Sequence, residues 1–323
     1  MNKLGFLASA ILCSSLSLSA FTLGNLGDFK FVKQPTGVFV MHGPVMEPNK
    51  ENEGFMNNPA IIESKNGLIM VDPGGNYNVG KKIMAEVDEV SKKPVIAVLN
   101  THKHGDHWFA NKAIVERYPD VKIYAHKHMI EEAKAGEAEL WYNILEMLSG
   151  NLKGTKPFAY PIIELQDKQK IEIDGEEFVI YYPGAGHTDT DIHIEHKNSG
   201  TLFVGDNIIH QRYGQFDDSS SILANIEVLE DIKAKKYGNY KFIVPGHGPS
   251  GATDAEVIDP FLNYMKILRD TAQEAYDNDM EAYEIKEELD KRLKAYHHWD
   301  AYDTVVGKHL QKVYEEIEAN DME

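Results

Sequence analysis

The sequence predicts an α/β fold, a four-layer αβ/βα sandwich followed by a C-terminal helical extension. Apolar runs of strand length fall into two groups, one before residue 126 and one between residues 162 and 244. Segments with helical periodicity lie among these strands, where they can cover the outer face of each sheet. Beyond residue 251 the sequence becomes charged and helical in pattern. These features predict two stacked sheets with helices outside both.

Four short strands are expected at the start of the folded chain. Their apolar runs are residues 29–34, 37–42, 59–64 and 68–72. The last two should form a hairpin, in which Asn66 and Gly67 supply the positive φ angles of a tight turn. The polar loop at residues 44–58, between the second and third strands, is a candidate rim for a binding site.

A β-α-β unit follows the hairpin. Its helix is predicted by apolar residues that recur at helical spacing: Val79, Ile83, Val87 and Val90. Pro94 ends this helix, and residues 94–101 form a continuous apolar strand. Residues 121–125 resemble the next strand of the same sheet.

The segment 129–150 is helical in pattern and carries one apolar stripe. The stripe consists of Leu140, Trp141, Ile144, Leu145 and Leu148. We expect it to pack against the core, as such stripes usually do. The alternative is a lid that faces the substrate and carries Trp141 and Tyr142.

The second half of the chain contains the second sheet and the helical extension. Residues 162–204 are rich in strands, with turns at 174–175 and 198–200, and residues 222–236 return to helical periodicity. Three further apolar stripes follow residue 251, and their helices should pack on the core or join two subunits into a homo-oligomer. In segment 297–303, Trp299 is expected to anchor this extension.

Composition limits the classes of partner. The chain has 323 residues and a 42% hydrophobic content, enough for a sizeable core. Its 33 basic and 51 acidic residues give a formal net charge of −18. Because phosphate backbones are bound by clustered Lys and Arg, this balance argues against a nucleic-acid partner and against an anionic membrane surface.

The first twenty residues predict a secretory signal peptide. Lys3 precedes an apolar stretch from Leu4 to Leu12, and small residues end at Ala20. Cys13 is the single cysteine and would be removed with this segment, so metal binding would rest on His and Asp. We therefore expect a periplasmic or secreted protein that does not associate with the membrane after cleavage.

The most informative motif is N-T-H-K-H-G-D-H, which directly follows the apolar strand that ends near residue 100. In extended backbone, side chains two residues apart point the same way, so His102 and His104 can bind one ion from one face. Asp106 and His107 follow Gly105 and can face elsewhere. Imidazoles with a carboxylate suit Zn²⁺ or Fe²⁺, whereas Mg²⁺ and Ca²⁺ favour oxygen ligands.

Three later apolar runs each end in a candidate ligand, namely His187, Asp206 and His247. All three lie where a strand gives way to a loop, and ligand sites gather at such junctions. The remaining histidines are more simply explained as polar surface residues or as core residues with satisfied hydrogen bonds. This group includes His42, His126, His128, His193, His196 and His309.

These motifs, in this order, resemble the metallo-β-lactamase superfamily. The resemblance implies a domain at residues 28–250, between the signal peptide at 1–20 and the helical extension at 251–323. It implies a first ion held by His102, His104 and His187, and a second held by Asp106, His107 and His247. Asp206 would bridge the two ions. One major group of true β-lactamases has a cysteine here, so the aspartate points toward hydrolases similar to glyoxalase II.

The resemblance implies a dinuclear zinc hydrolase with a small-molecule substrate. A metal-bound hydroxide, oriented by Asp106 as the catalytic residue, would attack a carbonyl group in a thioester, lactone, amide or β-lactam. Asp72 would support the metal loop in such a family member, and the alternative is a simple turn residue at the end of a strand. His210, Tyr213 and Trp141 are candidates to flank the site.

Two other classes of function remain open at this stage. Some members of the superfamily are sulfur (persulfide) dioxygenases that use a single Fe²⁺ in a similar loop. The C-terminal segment also resembles periplasmic SoxH-like relatives found with thiosulfate oxidation and quinoprotein-linked pathways, which connects the chain to sulfur metabolism. A non-catalytic metal-binding or partner-binding protein is the third class, although none of the seven ligands is missing.

Export predicts a shortened mature protein. The Lys3 start, the apolar stretch and the small residues before Phe21 lead us to expect removal of about twenty residues. The intact mass of the protein purified from its native host measures this directly. A mass that still includes Met1, or recovery from the cytoplasm alone, would contradict the prediction.

Overall fold

The computed structural model describes residues 28–322. The predicted signal peptide at residues 1–20 lies outside these described residues. The first sheet has seven strands in sequential order: β1 (Val32–Lys33), β2 (Phe39–Val40), β3 (Ala60–Glu63), β4 (Leu68–Val71), β5 (Val95–Leu99), β6 (Lys122–His126) and β7 (Ile163–Leu165). The second sheet has five strands: β8 (Lys170–Ile173), β9 (Glu176–Tyr181), β10 (His193–His196), β11 (Thr201–Phe203) and β12 (Phe242–Val244).

Ten α-helices surround these sheets within the described part of the chain. They are α1 (Tyr77–Val90), α2 (Gly105–Trp108), α3 (Asn111–Arg117), α4 (Lys127–Glu132), α5 (Ala138–Ser149), α6 (Ile222–Lys233), α7 (Asp254–Val257), α8 (Asp259–Asp277), α9 (Lys286–Arg292) and α10 (Tyr302–Asp321). A π-helical segment, Ala133–Glu137, joins α4 to α5. Among residues 28–322, no helix is long and apolar enough to cross a membrane.

The four-layer arrangement is confirmed by the packing of the two sheets. Alternate side chains of a strand point to opposite faces, so Ile62 of β3 lies between the sheets while Ile61 faces α1. The inner layer also contains Phe178 and Ile194 of the second sheet. On the outer face of that sheet, Leu202 packs with α6, α8 and α10. Each sheet is therefore covered on one side by the other sheet and on its other side by helices.

The parallel strands bring several loops to one edge of the sandwich. β4, β5 and β6 run parallel in the first sheet, and β11 pairs parallel with β12 in the second. The chain leaves β5, β11 and β12 toward the loops that carry His102, Asp206 and His247. Because a rigid sheet fixes the point from which each loop starts, these side chains can converge without a long ordered loop.

The hairpin between β3 and β4 is present, but its predicted turn geometry is wrong. The loop has four residues, because Glu63 pairs with Leu68, and neither Asn66 nor Gly67 has a positive φ angle. Asp174 of the second sheet accepts hydrogen bonds from the backbone N–H and the side chain of Asn66. This contact from another sheet fixes the loop, a constraint that local turn chemistry could not reveal.

The C-terminal helices share one continuous core with α6 and the second sheet. Trp299 is 4% exposed and its ring contacts Tyr213 and Tyr264, which confirms its predicted anchoring role. Glu316 of α10 accepts hydrogen bonds from the first two backbone N–H groups of α6. A carboxylate at a helix N-terminus satisfies unpaired donors and interacts favourably with the helix dipole.

His309 ties α10 to the loop that follows the candidate ligand Asp206. It is 2% exposed, its Nε2–H donates to the carbonyl of Gly214 at 2.9 Å, and its Nδ1 accepts from the Tyr264 hydroxyl at 2.6 Å. The neutral imidazole satisfies both nitrogens, one as donor and the other as acceptor. Burial accordingly lowers the pKa of His309 to about 4.

We expect His309 to make stability sensitive to acid. A histidine whose pKa falls on folding stabilises the protein fully above the unfolded value of 6.5, and this contribution is lost as pH falls toward about 4. For a shift of this size the loss is about 3 kcal/mol. Urea unfolding at several pH values should show that the stability difference between wild type and His309→Gln shrinks over this range. Parallel pH profiles for the two proteins would contradict the assignment.

Candidate metal centre

The loop after β5 begins the site and divides its side chains between two directions. β5 ends at Leu99, His102 lies in a bend of the loop that follows, and His104, in extended backbone, is the N-cap residue of α2. Asp106 and His107 lie within the first turn of this helix. The predicted division is present, because His102 and His104 join one group of candidate ligands while Asp106 and His107 join another.

The first group consists of His102, His104 and His187, and its ligand atoms lie within 4.8 Å of one another. Nδ1 of His104 is 2.9 Å from Nε2 of His187. Nε2 of His102 is buried and has no hydrogen-bond partner. Three imidazoles with converging nitrogens form a donor set well suited to a divalent transition metal.

The second group consists of Asp106, His107, Asp206 and His247, again within 4.8 Å. Oδ2 of Asp106 lies 3.3 Å from Nε2 of His107 and 3.3 Å from Nε2 of His247. All four side chains are buried. Gly246 leaves room for the Asp206 carboxylate in this group, because a Cβ at position 246 would lie 1.8 Å from Oδ1 of Asp206.

Asp206 lies between the two groups and contacts both. Its Oδ1 is 3.1 Å from Nε2 of His107, and its Oδ2 is 3.1 Å from Nε2 of His247. The same Oδ2 lies 3.5 Å from Nε2 of His187 and 4.0 Å from Nε2 of His102. One carboxylate therefore reaches ligand atoms of both groups, which is the position required of a bridging ligand.

The protonation states favour a bound cation. Burial lowers the pKa of His102 well below its usual value and that of His187 to about 3, so both rings are neutral and able to coordinate. Burial opposes ionisation of Asp106 and Asp206, but His107 and His247 outweigh it and hold both carboxyl pKa values low. Burial opposes a charge on His107, but Asp206, Asp106 and Asp72 outweigh it and raise the His107 pKa well above its usual value. Buried carboxylates demand positive compensation, which a proton on His107 or a bound metal ion supplies. The residues present therefore fit a metal centre.

Residues behind the ligands orient the imidazole rings. Asp72 Oδ2 accepts from Nδ1 of His107 at 2.9 Å, and its two oxygens also accept from the backbone and hydroxyl of Thr101. The carbonyl of Met56 accepts from Nδ1 of His247 at 2.7 Å. A metal-binding histidine usually donates its second N–H in this way, which fixes its tautomer. The structure thus favours the supporting role of Asp72 over that of a simple turn residue.

A cavity of about 310 Å³ opens beside the two groups. Its wall includes His104, Asp106, His187 and Asp206, together with Glu47, Pro48 and Met56 from the loop at residues 44–58. That loop is therefore part of the rim, as the sequence predicted. The cavity places open space next to the candidate ligands of both groups, where a substrate can approach them.

The apolar stripe of α5 mainly faces this cavity, so the expectation that it packs against the core is wrong. Leu140, Trp141, Ile144 and Leu148 line the cavity, and only Leu145 is fully buried. The Trp141 ring lies 4.3 Å from the His104 ring. The π-helical segment before α5 contains Gly136 with φ 142°, which redirects the helix over the site.

The cavity residues missed by the sequence analysis include Arg212, Phe216 and Asp217. Asp217 Oδ2 is 3.4 Å from Nε2 of His104, where it can hold the ring whose Nδ1 faces the first group. No local motif marks these residues, although all three follow the G-D motif within twelve positions. The predicted neighbours His210 and Tyr213 do not line the cavity, because both pack against Trp299 instead.

The remaining histidines mostly behave as expected of structural residues. His193 bonds to Asn207, His196 to Glu176 and Ser199, and His42 to Ser250. None of them belongs to the two candidate ligand groups. The ordinary interpretation of these isolated histidines is therefore consistent with their contacts.

A family model of the metallo-beta-lactamase superfamily matches residues 52–247 of the chain. The chain belongs to this superfamily. It is 24% identical over 208 residues to a metallo-beta-lactamase type 2 of Bacillus cereus, which covers 62% of this chain and 70% of the relative. It is 26% identical over 185 residues to a hydroxyacylglutathione hydrolase of Francisella tularensis, with 57% and 59% coverage. These matches identify the protein as a metal-dependent hydrolase of the superfamily.

A sec-alkyl sulfatase has a similar fold, with a TM-score of 0.67 at 15% identity. The alignment covers 90% of this chain and 50% of the sulfatase chain. At this identity the likeness concerns the fold alone. Its coverage exceeds the span of the family match, so the shared architecture extends beyond the conserved superfamily domain.

We expect Asp72→Asn to weaken metal binding without unfolding the protein. Asparagine tolerates the φ angle of 45° at this position, but it has one acceptor oxygen where Asp72 uses two, so it cannot accept from both His107 and the Thr101 backbone. Loss of such a supporting contact typically lowers metal affinity about 10-fold to 100-fold. Competition with a chromophoric chelator measures the affinity, and Asp120→Asn at an exposed turn is the control. Equal metal affinities in Asp72→Asn and Asp120→Asn would show that Asp72 contributes only to the turn that follows β4.

Proposed function

We propose that the protein is an exported dinuclear zinc hydrolase that cleaves a carbonyl substrate. The position of Asp206 carries this proposal, because its carboxylate reaches ligand atoms of both groups. His102, His104 and His187 would hold the first zinc, and Asp106, His107 and His247 the second. Export to the periplasm is supported by the signal-like pattern of residues 1–20.

Two bound zinc ions supply the activation of a water molecule near neutral pH and the polarisation of a carbonyl oxygen. The chain itself supplies a carboxylate, Asp106, at the wall of the cavity and 2% exposed. Its Oδ atoms can accept a hydrogen bond from the attacking water and orient it toward the substrate. Trp141 and Phe216 cover neighbouring wall and limit the entry of bulk water.

The lack of a serine or cysteine nucleophile in the cavity wall supports a metal-activated water, and the relatives support the substrate class. Within the cavity wall, residues 28–322 contribute no serine or cysteine. The hydroxyacylglutathione hydrolase and metallo-beta-lactamase relatives support a small molecule with a reactive carbonyl group. Thioesters, lactones, amides and β-lactams all share this group, and the proposal covers that set.

Metal analysis combined with a substrate panel tests the proposal. Native protein should contain two zinc ions per chain, and zinc-loaded protein should hydrolyse at least one thioester, lactone, amide or β-lactam. A chelator should abolish this activity, and added zinc should restore it. A single Fe²⁺ with oxygen-dependent persulfide oxidation would replace the proposal with the sulfur dioxygenase alternative. Activity that resists the chelator would exclude any metal-dependent mechanism.

Replacement of Asp106 should separate catalysis from folding. Asp106→Asn is nearly isosteric, but an amide is a poorer ligand and cannot take up a proton, so kcat should fall about 10²-fold to 10⁴-fold. Circular dichroism and metal content should be measured on the same sample, with Asp120→Asn as the matched control. An unchanged kcat at full metal occupancy would remove Asp106 from the mechanism.

A further inference from the structure

Arg212 lines the cavity beside the second ligand group. Its backbone pairs with that of Asp300 from the C-terminal extension, and the residue is 6% exposed. The side chain lines the cavity, and its Nη2 is 3.4 Å from Nε2 of His247. A group bound by this guanidinium would therefore sit next to the metal centre rather than at the mouth of the cavity.

The Arg212 guanidinium has no acidic partner among residues 28–322. No carboxylate oxygen lies within 4.0 Å of it, and its buried Nε has no hydrogen-bond partner. The nearby cavity acids have other contacts. Glu47 accepts from Gln215, and Asp217 contacts His104 and Ser219. Asp106 and Asp206 contact His107 and His247 and are themselves candidate metal ligands. Burying a cation without a counter-ion is costly, so this site favours a ligand that brings a negative charge.

The part of the cavity wall formed by α5 is apolar and accessible. Leu140 is 54% exposed and Leu148 is 39% exposed, although both belong to the apolar face of α5. Ile144 and Trp141 continue this face toward His104. An exposed apolar face that leads to a polar centre is typical of a site that binds an apolar part of its ligand.

We propose that the substrate is an amphiphilic anion. Arg212 binds a negatively charged group close to the bond that is cleaved, and α5 binds an apolar chain attached to it. A planar guanidinium can pair in bidentate fashion with a carboxylate or with a sulfate group, so both head groups fit the same chemistry. This proposal names the substrate class of the proposed hydrolase and rests on that function for the cleavage step alone.

Binding of simple probes tests this assignment without requiring turnover. Isothermal titration of zinc-loaded protein would use octanoate, octyl sulfate, octan-1-ol and propionate. The variants are Arg212→Met, which keeps the apolar stem but removes the charge, and Ile144→Ser, which interrupts the apolar wall. Arg269→Met is the matched control, because Arg269 lies on the surface of α8 beside Asp270. Zinc content is measured for every protein.

Wild type should bind at least one of the two octyl anions at least about tenfold more tightly than octan-1-ol. Arg212→Met should reduce that preference by about tenfold or more at unchanged zinc content, while Arg269→Met should keep it. Ile144→Ser should weaken the binding of octanoate more than the binding of propionate. Preference for octanoate or for octyl sulfate identifies the head group, and either supports the proposal.

Three results would overturn the assignment. Equal wild-type affinity for octanoate, octyl sulfate and octan-1-ol would show that no anion is recognised. Unchanged anion binding in Arg212→Met would show that the metal ions alone hold the anion. Loss of zinc in Arg212→Met would show that the guanidinium serves to position His247. Since titration records binding, each result is interpretable even if the substrate panel yields no hydrolysis.

Discussion

Asp206 places its two carboxylate oxygens within 4.0 Å of four imidazoles, at a depth where an uncompensated charge would be strongly unfavourable. Asp106 adds a second buried carboxylate to the same space. The surrounding histidines offset this negative charge in part, and the geometry leaves two clusters of donor atoms that cations can occupy. Nε2 of His107 and Nε2 of His247 lie 3.3 Å apart, and both contact these buried carboxylates.

The two sheets bring these carboxylates and imidazoles together because they fix the points at which the ligand-bearing loops begin. β5 belongs to the first sheet and β11 and β12 to the second, and the inner hydrophobic layer locks the two sheets together. Contacts between loops then complete the positioning. Asp72 holds His107, and the Met56 carbonyl holds His247, so the tautomer of each ring is set by a residue outside the ligand motifs.

The C-terminal extension contributes to the site as well as to the core. Asp300 pairs with the backbone of Arg212, and its carboxylate accepts from the backbone N–H of Glu47 on the cavity rim at 2.7 Å. Trp299 anchors the same segment against Tyr213 and Tyr264. The segment that contains Trp299 and Asp300 thus contacts both Arg212 and the rim loop at residues 44–58. The packing of the C-terminal extension is therefore linked to the shape of the cavity.

The sequence alone determined the layer order, most element positions and the seven candidate ligands. Each of these depends on a local pattern: strand-length apolar runs, helical periodicity, and ligand-capable residues at strand ends. The division of His102 and His104 from Asp106 and His107 was also predicted from a local pattern, although the structure has a bend at His102 and begins α2 at Gly105.

Tertiary structure alone decided the turn at Asn66, the direction of the α5 stripe and the role of Arg212. The turn depends on Asp174, more than one hundred residues away. The stripe has the periodicity of a core helix, but which surface faces it depends on the bend near Gly136 and on the cavity beyond. Arg212 carries no motif, and its significance arises because it is buried and no carboxylate oxygen among residues 28–322 lies within 4.0 Å of its guanidinium. Pairing across distant segments and burial are properties of the folded chain, so no local pattern encodes them.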